Sequence, residues 1–234
     1  MDDAADCCFD RYAEGWGRRV RRRGTVGRVT EPLIQALEHT GLEGRTVLDL
    51  GCGVGDLVLE VVRRGAAGGR GYDLSRRAIE TARSLAAEQG VADRISFHVG
   101  DASRLDLPPA DAVVLNRVIC CYPDVDGLLE RSLAAAGSVY AFSVPRSRGP
   151  VGALARLQVR LGNWWMRRRP AKFGGFQSYV HDVDAVDERV RAAGFTRVHT
   201  EHRWFAWELV VYERASGTRA NDHDRATASN PSRR

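Results

Sequence analysis

The apolar residues of this chain recur with two different periods, and the places where the period changes mark out its elements. Phe9, Tyr12, Trp16 and Val20 stand at helical spacing and predict a helix from Phe9 to Arg23. A second helix is expected from Thr30, which can cap it, through Leu33, Ile34 and Leu37 to the stop at Gly41. An alternating series follows. Strands are predicted at 46–50, 69–73, 95–99, 112–115 and 138–144, with helices at 56–64, 75–89 and 125–135 between them. Ser75 is placed to cap the second of these helices. An amphipathic helix is predicted over 151–168 and another over 184–193. The chain then reads as two strands, 196–202 and 204–212, separated by almost nothing.

Strands alternating with helices predict an α/β fold: a doubly wound, mostly parallel seven-stranded sheet with an antiparallel C-terminal hairpin at its edge. From Ala215 the residues turn to Ser, Thr, Asn, Asp and Arg, with no apolar side chain larger than alanine, which predicts a disordered tail. One domain is expected, with a helical extension at 1–41 and an insert at 145–180.

Composition narrows the class. The chain has 234 residues, 44% hydrophobic and 28% charged, enough apolar content for one sizeable core. The longest run without a charge, Ser132 to Pro145, has 14 residues, short of the roughly 20 that a spanning helix needs. No membrane span is therefore expected. The acidic opening Met1-Asp2-Asp3 carries no apolar run behind it, so the expected location is the cytoplasm. The formal net charge is +5, but five arginines lie between Arg18 and Arg23 and the last 20 residues add a further +2. The body between them is slightly acidic, which speaks against a nucleic-acid partner. The cysteines at 7, 8, 52, 120 and 121 include no C-x-x-C spacing and read as free thiols, with no metal site expected.

The chemistry concentrates in Val47-Leu48-Asp49-Leu50-Gly51-Cys52-Gly53-Val54-Gly55-Asp56, where the first strand turns into a helix. Glycines there let a ligand approach the backbone, and the helix start offers free N–H groups. The spacing is G-x-G-x-G, with Asp56 where a dinucleotide-binding fingerprint has its third glycine. Asp49 adds a carboxylate that would repel a pyrophosphate and attract an ammonium. Asp73 ends the second strand, and Asp101 follows the third in Gly100-Asp101-Ala102. Carboxylates thus follow three neighbouring strand ends, along the crevice where such sheets bind ligands.

These motifs resemble the class I S-adenosylmethionine-dependent methyltransferases, over about Leu42 to Tyr212. The resemblance implies a Rossmann-like methyltransferase fold and S-adenosylmethionine as cofactor. It implies Gly51, Cys52 and Gly53 at the methionine part with Asp49 nearby, Asp73 and Leu74 at the ribose, and Asp101 with Ala102 at the adenine. Asn116 falls where the family contacts the methionine end and the substrate, and Tyr12 on a helix that lids the cofactor. The stretch Asn116 to Pro123 is weakly similar to magnesium-protoporphyrin O-methyltransferases, with Asn116 where those carry Asp and Cys121 where they often carry His. The expected reaction is transfer of a methyl group to a small molecule, hydrophobic or acidic, on oxygen. Tyr122 and His181 are the candidate catalytic residues, and the insert, with Trp164, Trp165 and its arginines, is the candidate lid over the acceptor. An RNA-directed methyltransferase and a non-catalytic partner-binding module of the same fold are the alternatives.

Overall fold

The computed structural model describes residues 10–23, 26–27, 30–123, 125–169, 176–203 and 206–214. Phe9, the Cys7-Cys8 pair, Trp204 and the tail at 215–234 lie outside the described residues, as does the side chain of Tyr12. Seven strands form one sheet: β1 Thr46–Leu50, β2 Gly68–Asp73, β3 Ile95–Val99, β4 Ala110–Asn116, β5 Ala136–Pro145, β6 Phe195–Arg203 and β7 Trp207–Arg214. The helices are α1 Asp10–Arg23, α2 Thr30–His39, α3 Asp56–Arg63, α4 Arg76–Glu88, α5 Val125–Ala135, α6 Gly149–Arg167 and α7 Val183–Ala192, with a 3₁₀ turn at Ile119–Cys121.

The strand order is β3-β2-β1-β4-β5-β7-β6. β1 to β5 run parallel, and β7 pairs antiparallel with β5 and with β6. The expected hairpin is present, but its order across the sheet differs from the chain order: β7 is internal and β6 forms the edge. The residues explain why. Leu209 to Tyr212 are all buried and suit a strand covered on both faces, whereas β6 alternates and carries charges, as an edge strand should.

Alternation along each strand divides the core in two. Val47, Ala112, Val114, Val139 and Ala141 face the layer of α2, α3 and α4, which brings Leu33, Leu57, Val58 and Ile79. Leu48, Leu50, Val113, Leu115, Tyr140 and Phe142 face α5 and α7, with Leu128, Leu129, Val186 and Val190. Ser75 caps α4 as expected, its Oγ accepting from the Ala78 N–H at 3.0 Å. The crossover direction reverses between β1 and β4, so the crevice at their C-terminal ends is where this architecture opens a ligand site.

Candidate active site

The turn after β1 is built by the backbone. The N–H groups of Gly51 and Cys52 both donate to the Tyr72 carbonyl, at 2.7 and 3.0 Å, which ties the turn to β2. Gly51 (φ +70°) cannot be replaced without conflict, because a Cβ there would lie 2.4 Å from Val118 Cγ2. Gly53 (φ +55°) has nothing within 4 Å of such a Cβ. Its N–H donates to Asp73 Oδ2 at 2.8 Å, and the other Asp73 oxygen accepts from the Ser75 N–H at 2.8 Å. The acid at the end of β2 therefore locks the glycine turn and the start of α4 into one unit.

The electrostatics are one-sided. Asp49 is 2% exposed, and its Oδ1 has no hydrogen-bond partner among the described residues. Burial, then the Asp56 and Asp73 charges, push this carboxyl well above its ordinary range. Burial also raises Asp56, against the pull of the Arg117 guanidinium, and its Oδ2 is likewise unpartnered. Asp73 is raised by burial in spite of its two backbone donors. The Cys52 thiol, pushed up by burial and by the same three acids, stays protonated. A ligand bearing positive charge would relieve this cluster.

A cavity of about 540 Å³ opens onto the cluster. Asp49, Gly51, Cys52, Gly53, Asp73, Leu74, Ala102, Asn116 and Tyr122, all singled out from the sequence, line it. Asp101 and His181 are not part of its wall. Asp101 Oδ1 accepts from the Ser103 N–H and hydroxyl at 3.0 and 2.7 Å, and the carboxylate also bonds the Tyr122 phenol. Tyr122 itself is held protonated, its pKa raised by burial and by the Asp101 charge. His181 Nε2 lies 2.8 Å from the Tyr122 carbonyl oxygen and its ring stacks on Tyr179, so it braces the tyrosine's backbone. Asn116 donates through Nδ2 to Thr30 Oγ1 (3.0 Å) and accepts at Oδ1 from Ser143 (2.7 Å), a network that fixes its amide. Thr30 thus begins α2 where expected, but as its first helical residue rather than its cap, with its hydroxyl accepting from Asn116.

Three features were missed in the sequence reading. Arg117, after β4, has φ +62° although it is not glycine. Its guanidinium lies over the Trp16 ring at 4.7 Å, and its buried Nε has no partner among the described residues. No sequence signal reports a backbone angle of this kind. Trp16, with Ala13, brings α1 onto the cavity, a role that helical spacing from Tyr12 would have suggested. The roof comes from α6 and the segment after it, but through Val159, Met166, Phe176 and Tyr179. Trp164 and Trp165, expected in the lid, are 53% and 39% exposed and do not line the cavity. The helix turns its small residues Gly152 and Ala155 inward and leaves the bulky pair outside.

The comparisons agree with this geometry. A family model described as a methyltransferase domain matches residues 42–162, just over half of the chain. The chain belongs to that methyltransferase-domain family and has the fold of the class I S-adenosylmethionine-dependent methyltransferases. Among relatives, it is 38% identical over 87 residues to a ribosomal protein L11 methyltransferase of Enterobacter sp., covering 37% of this chain and 29% of that protein. It is 35% identical over 94 residues to a ubiquinone biosynthesis O-methyltransferase of Neisseria meningitidis, covering 40% of each. The match thus spans less than half of either relative. Among solved structures, it is similar to the magnesium protoporphyrin IX methyltransferase of Synechocystis with bound S-adenosylhomocysteine (TM-score 0.67, 20% identity, 90% of this chain and 98% of that one). It is also similar to an S-adenosylmethionine-dependent methyltransferase of Mesorhizobium loti (TM-score 0.62, 20% identity, 80% and 99%). The unpartnered Asp49 oxygen and the open face of Gly53 fit that cofactor, which carries an ammonium and a sulfonium. Among the described residues no helix is long and apolar enough to cross a membrane.

Proposed function

We propose that the protein methylates an oxygen atom of a small, partly apolar acceptor, using S-adenosylmethionine. The observation that carries the reading is the buried Asp49 carboxyl at the glycine turn, whose Oδ1 has no partner among the described residues, under a cavity roofed by apolar side chains. When bound, the cofactor supplies a methyl group already activated on a sulfonium. The protein then has to align the acceptor and exclude water, which can lower the barrier by roughly 7–11 kcal/mol. In this reading Asp49 answers the ammonium, Gly51, Cys52 and Gly53 admit the chain of the cofactor, and Asp73 with Leu74 takes the ribose. Ala102 provides the flat contact for the adenine, with Asp101 beside it. Asn116 borders the acceptor side. α1, through Ala13 and Trp16, closes the cofactor in.

Tyr122 holds its proton at neutral pH and donates it to Asp101, so its part is to accept a hydrogen bond from an acceptor hydroxyl and orient that oxygen, with His181 bracing its backbone. A carboxylate or phenolate acceptor needs no base, and Arg117 offers a nearby positive charge to hold such an anion.

A second reading, a protein acceptor, is favoured by the L11 methyltransferase relatives. Methyl-labelled S-adenosylmethionine, offered with a panel of phenols and carboxylic acids, with ribosomal protein L11 and with total RNA, separates these. Label in the small-molecule fraction is the expected result. Label in L11 or RNA alone, or none in any pool while the cofactor still binds, would overturn the proposal.

A further inference from the structure

α6 has a second face that the cavity does not use. Leu154, Leu157, Leu161, Trp164 and Trp165 are 56%, 52%, 60%, 53% and 39% exposed. They stand at i, i+3, i+7, i+10 and i+11, which is one continuous stripe along the helix, on the opposite side from Gly152, Ala155, Val159 and Met166. Scattered exposed leucines are ordinary; five large apolar side chains in one row are not.

The charges beside the stripe are all of one sign. Arg156, Arg160, Arg167, Arg168 and Arg169 flank it, and residues 131–181 contain no aspartate or glutamate. Among the described residues, the ion pairs formed do not involve any of these five arginines. Arg168 lies over the Trp164 ring at 3.6 Å and Arg169 over the Trp165 ring at 4.4 Å. Each indole is thus partnered with a cation at the same level of the surface, an apolar body beside a charge that stays in water.

We propose that this face of α6 docks flat on an anionic lipid bilayer. An amphipathic helix with leucine and tryptophan on one side and arginine along its borders is suited to the plane where acyl chains meet head groups. The charge decides among occupants. A second copy of the chain, face to face, would bring the two arginine rows together, whereas phosphate head groups neutralise them. The same helix carries Val159 and Met166 on the cavity roof, so docking sets the roof of the site against the lipid surface. The docking itself does not rest on the methyl-transfer reading.

Co-sedimentation of the full chain with vesicles tests the proposal. Binding is expected to vesicles of phosphatidylcholine containing roughly one third phosphatidylglycerol, and to be about tenfold or more weaker to phosphatidylcholine alone. The double variant Trp164→Ala/Trp165→Ala and the double variant Arg160→Gln/Arg167→Gln should each lower binding by about tenfold or more. Binding by the wild type and by the tryptophan variant should depend more steeply on salt than binding by the arginine variant. Melting temperature and S-adenosylhomocysteine binding should stay at wild-type values in both variants, since none of the four side chains lines the cavity. Failure to bind the anionic vesicles, or binding that the tryptophan variant leaves intact, would overturn the proposal. So would a wild-type dimer that the tryptophan variant dissociates, which would assign the face to a second copy.

Discussion

Two buried aspartates respond to pH in opposite directions, and the contrast checks the account of the site. The Asp49 carboxyl is raised well above its ordinary value of 3.8, so the folded chain holds this proton more tightly than the unfolded one. Its contribution to stability is full below that value and drains away as pH rises through the raised folded one. Asp49→Asn is expected to raise the melting temperature at about pH 8, by roughly 2–4 °C for each kcal/mol relieved. The same change should weaken S-adenosylmethionine binding by about tenfold or more, because a charge-assisted partner of the ammonium is lost. Thermal melts across pH, with parallel titrations, measure both; a variant that is less stable and binds as before would contradict the assignment. Asp187 is the converse. Burial raises it, but hydrogen bonds from Arg197 and Tyr212 outweigh that and leave the carboxyl lowered. Its stabilisation is present above pH 3.8 and is lost as pH falls through the folded value. Asp49 and Asp73 were legible in the sequence because their positions follow from strand ends. Arg117 was not, because its place depends on a positive φ that no residue pattern announces.

At the level of elements, the turn after β1 separates binding from folding. A Cβ on Gly53 meets open space toward the cavity, and the left-handed backbone itself costs a side chain roughly 1–2 kcal/mol. Gly53→Ala should therefore lose about 1–2 kcal/mol of stability and most of its cofactor affinity. Gly51→Ala has to displace Val118 and should lower the melting point more than Gly53→Ala does, as differential scanning calorimetry would show. The α7 anchor is a second case. Asp187 accepts from Tyr212 Oη at 2.8 Å and Arg197 Nε at 3.1 Å, joining the helix to β7 and β6. Asp187→Ala leaves a buried phenol unpaired and should cost about 1.5–3 kcal/mol in a denaturant melt, with cofactor binding unchanged. Most helices and strands were readable from period and caps, and β3 and α5 fall where the pattern put them. The insertion of β7 between β5 and β6 was not, since local alternation carries no information on which strand lies beside which.

Across the whole molecule, the sheet reversal between β1 and β4 creates the crevice, and the buried acids make it hungry for a cation. The candidate site was legible because that crevice follows from the alternating pattern alone, with motif residues arriving at successive strand ends. The acceptor side was less so. The insert reads as amphipathic from its sequence, but which face meets the cavity depends on packing, and the structure turns Val159 and Met166 inward. Titration calorimetry with S-adenosylhomocysteine, on the wild type and on Asp73→Ala, measures whether this crevice holds the cofactor. The wild type is expected to bind with a dissociation constant in the range of roughly nanomolar to micromolar, and the variant, while it remains folded, about tenfold or more weakly. Absence of binding by the wild type, or equal affinity in a folded Asp73→Ala, would contradict that expectation.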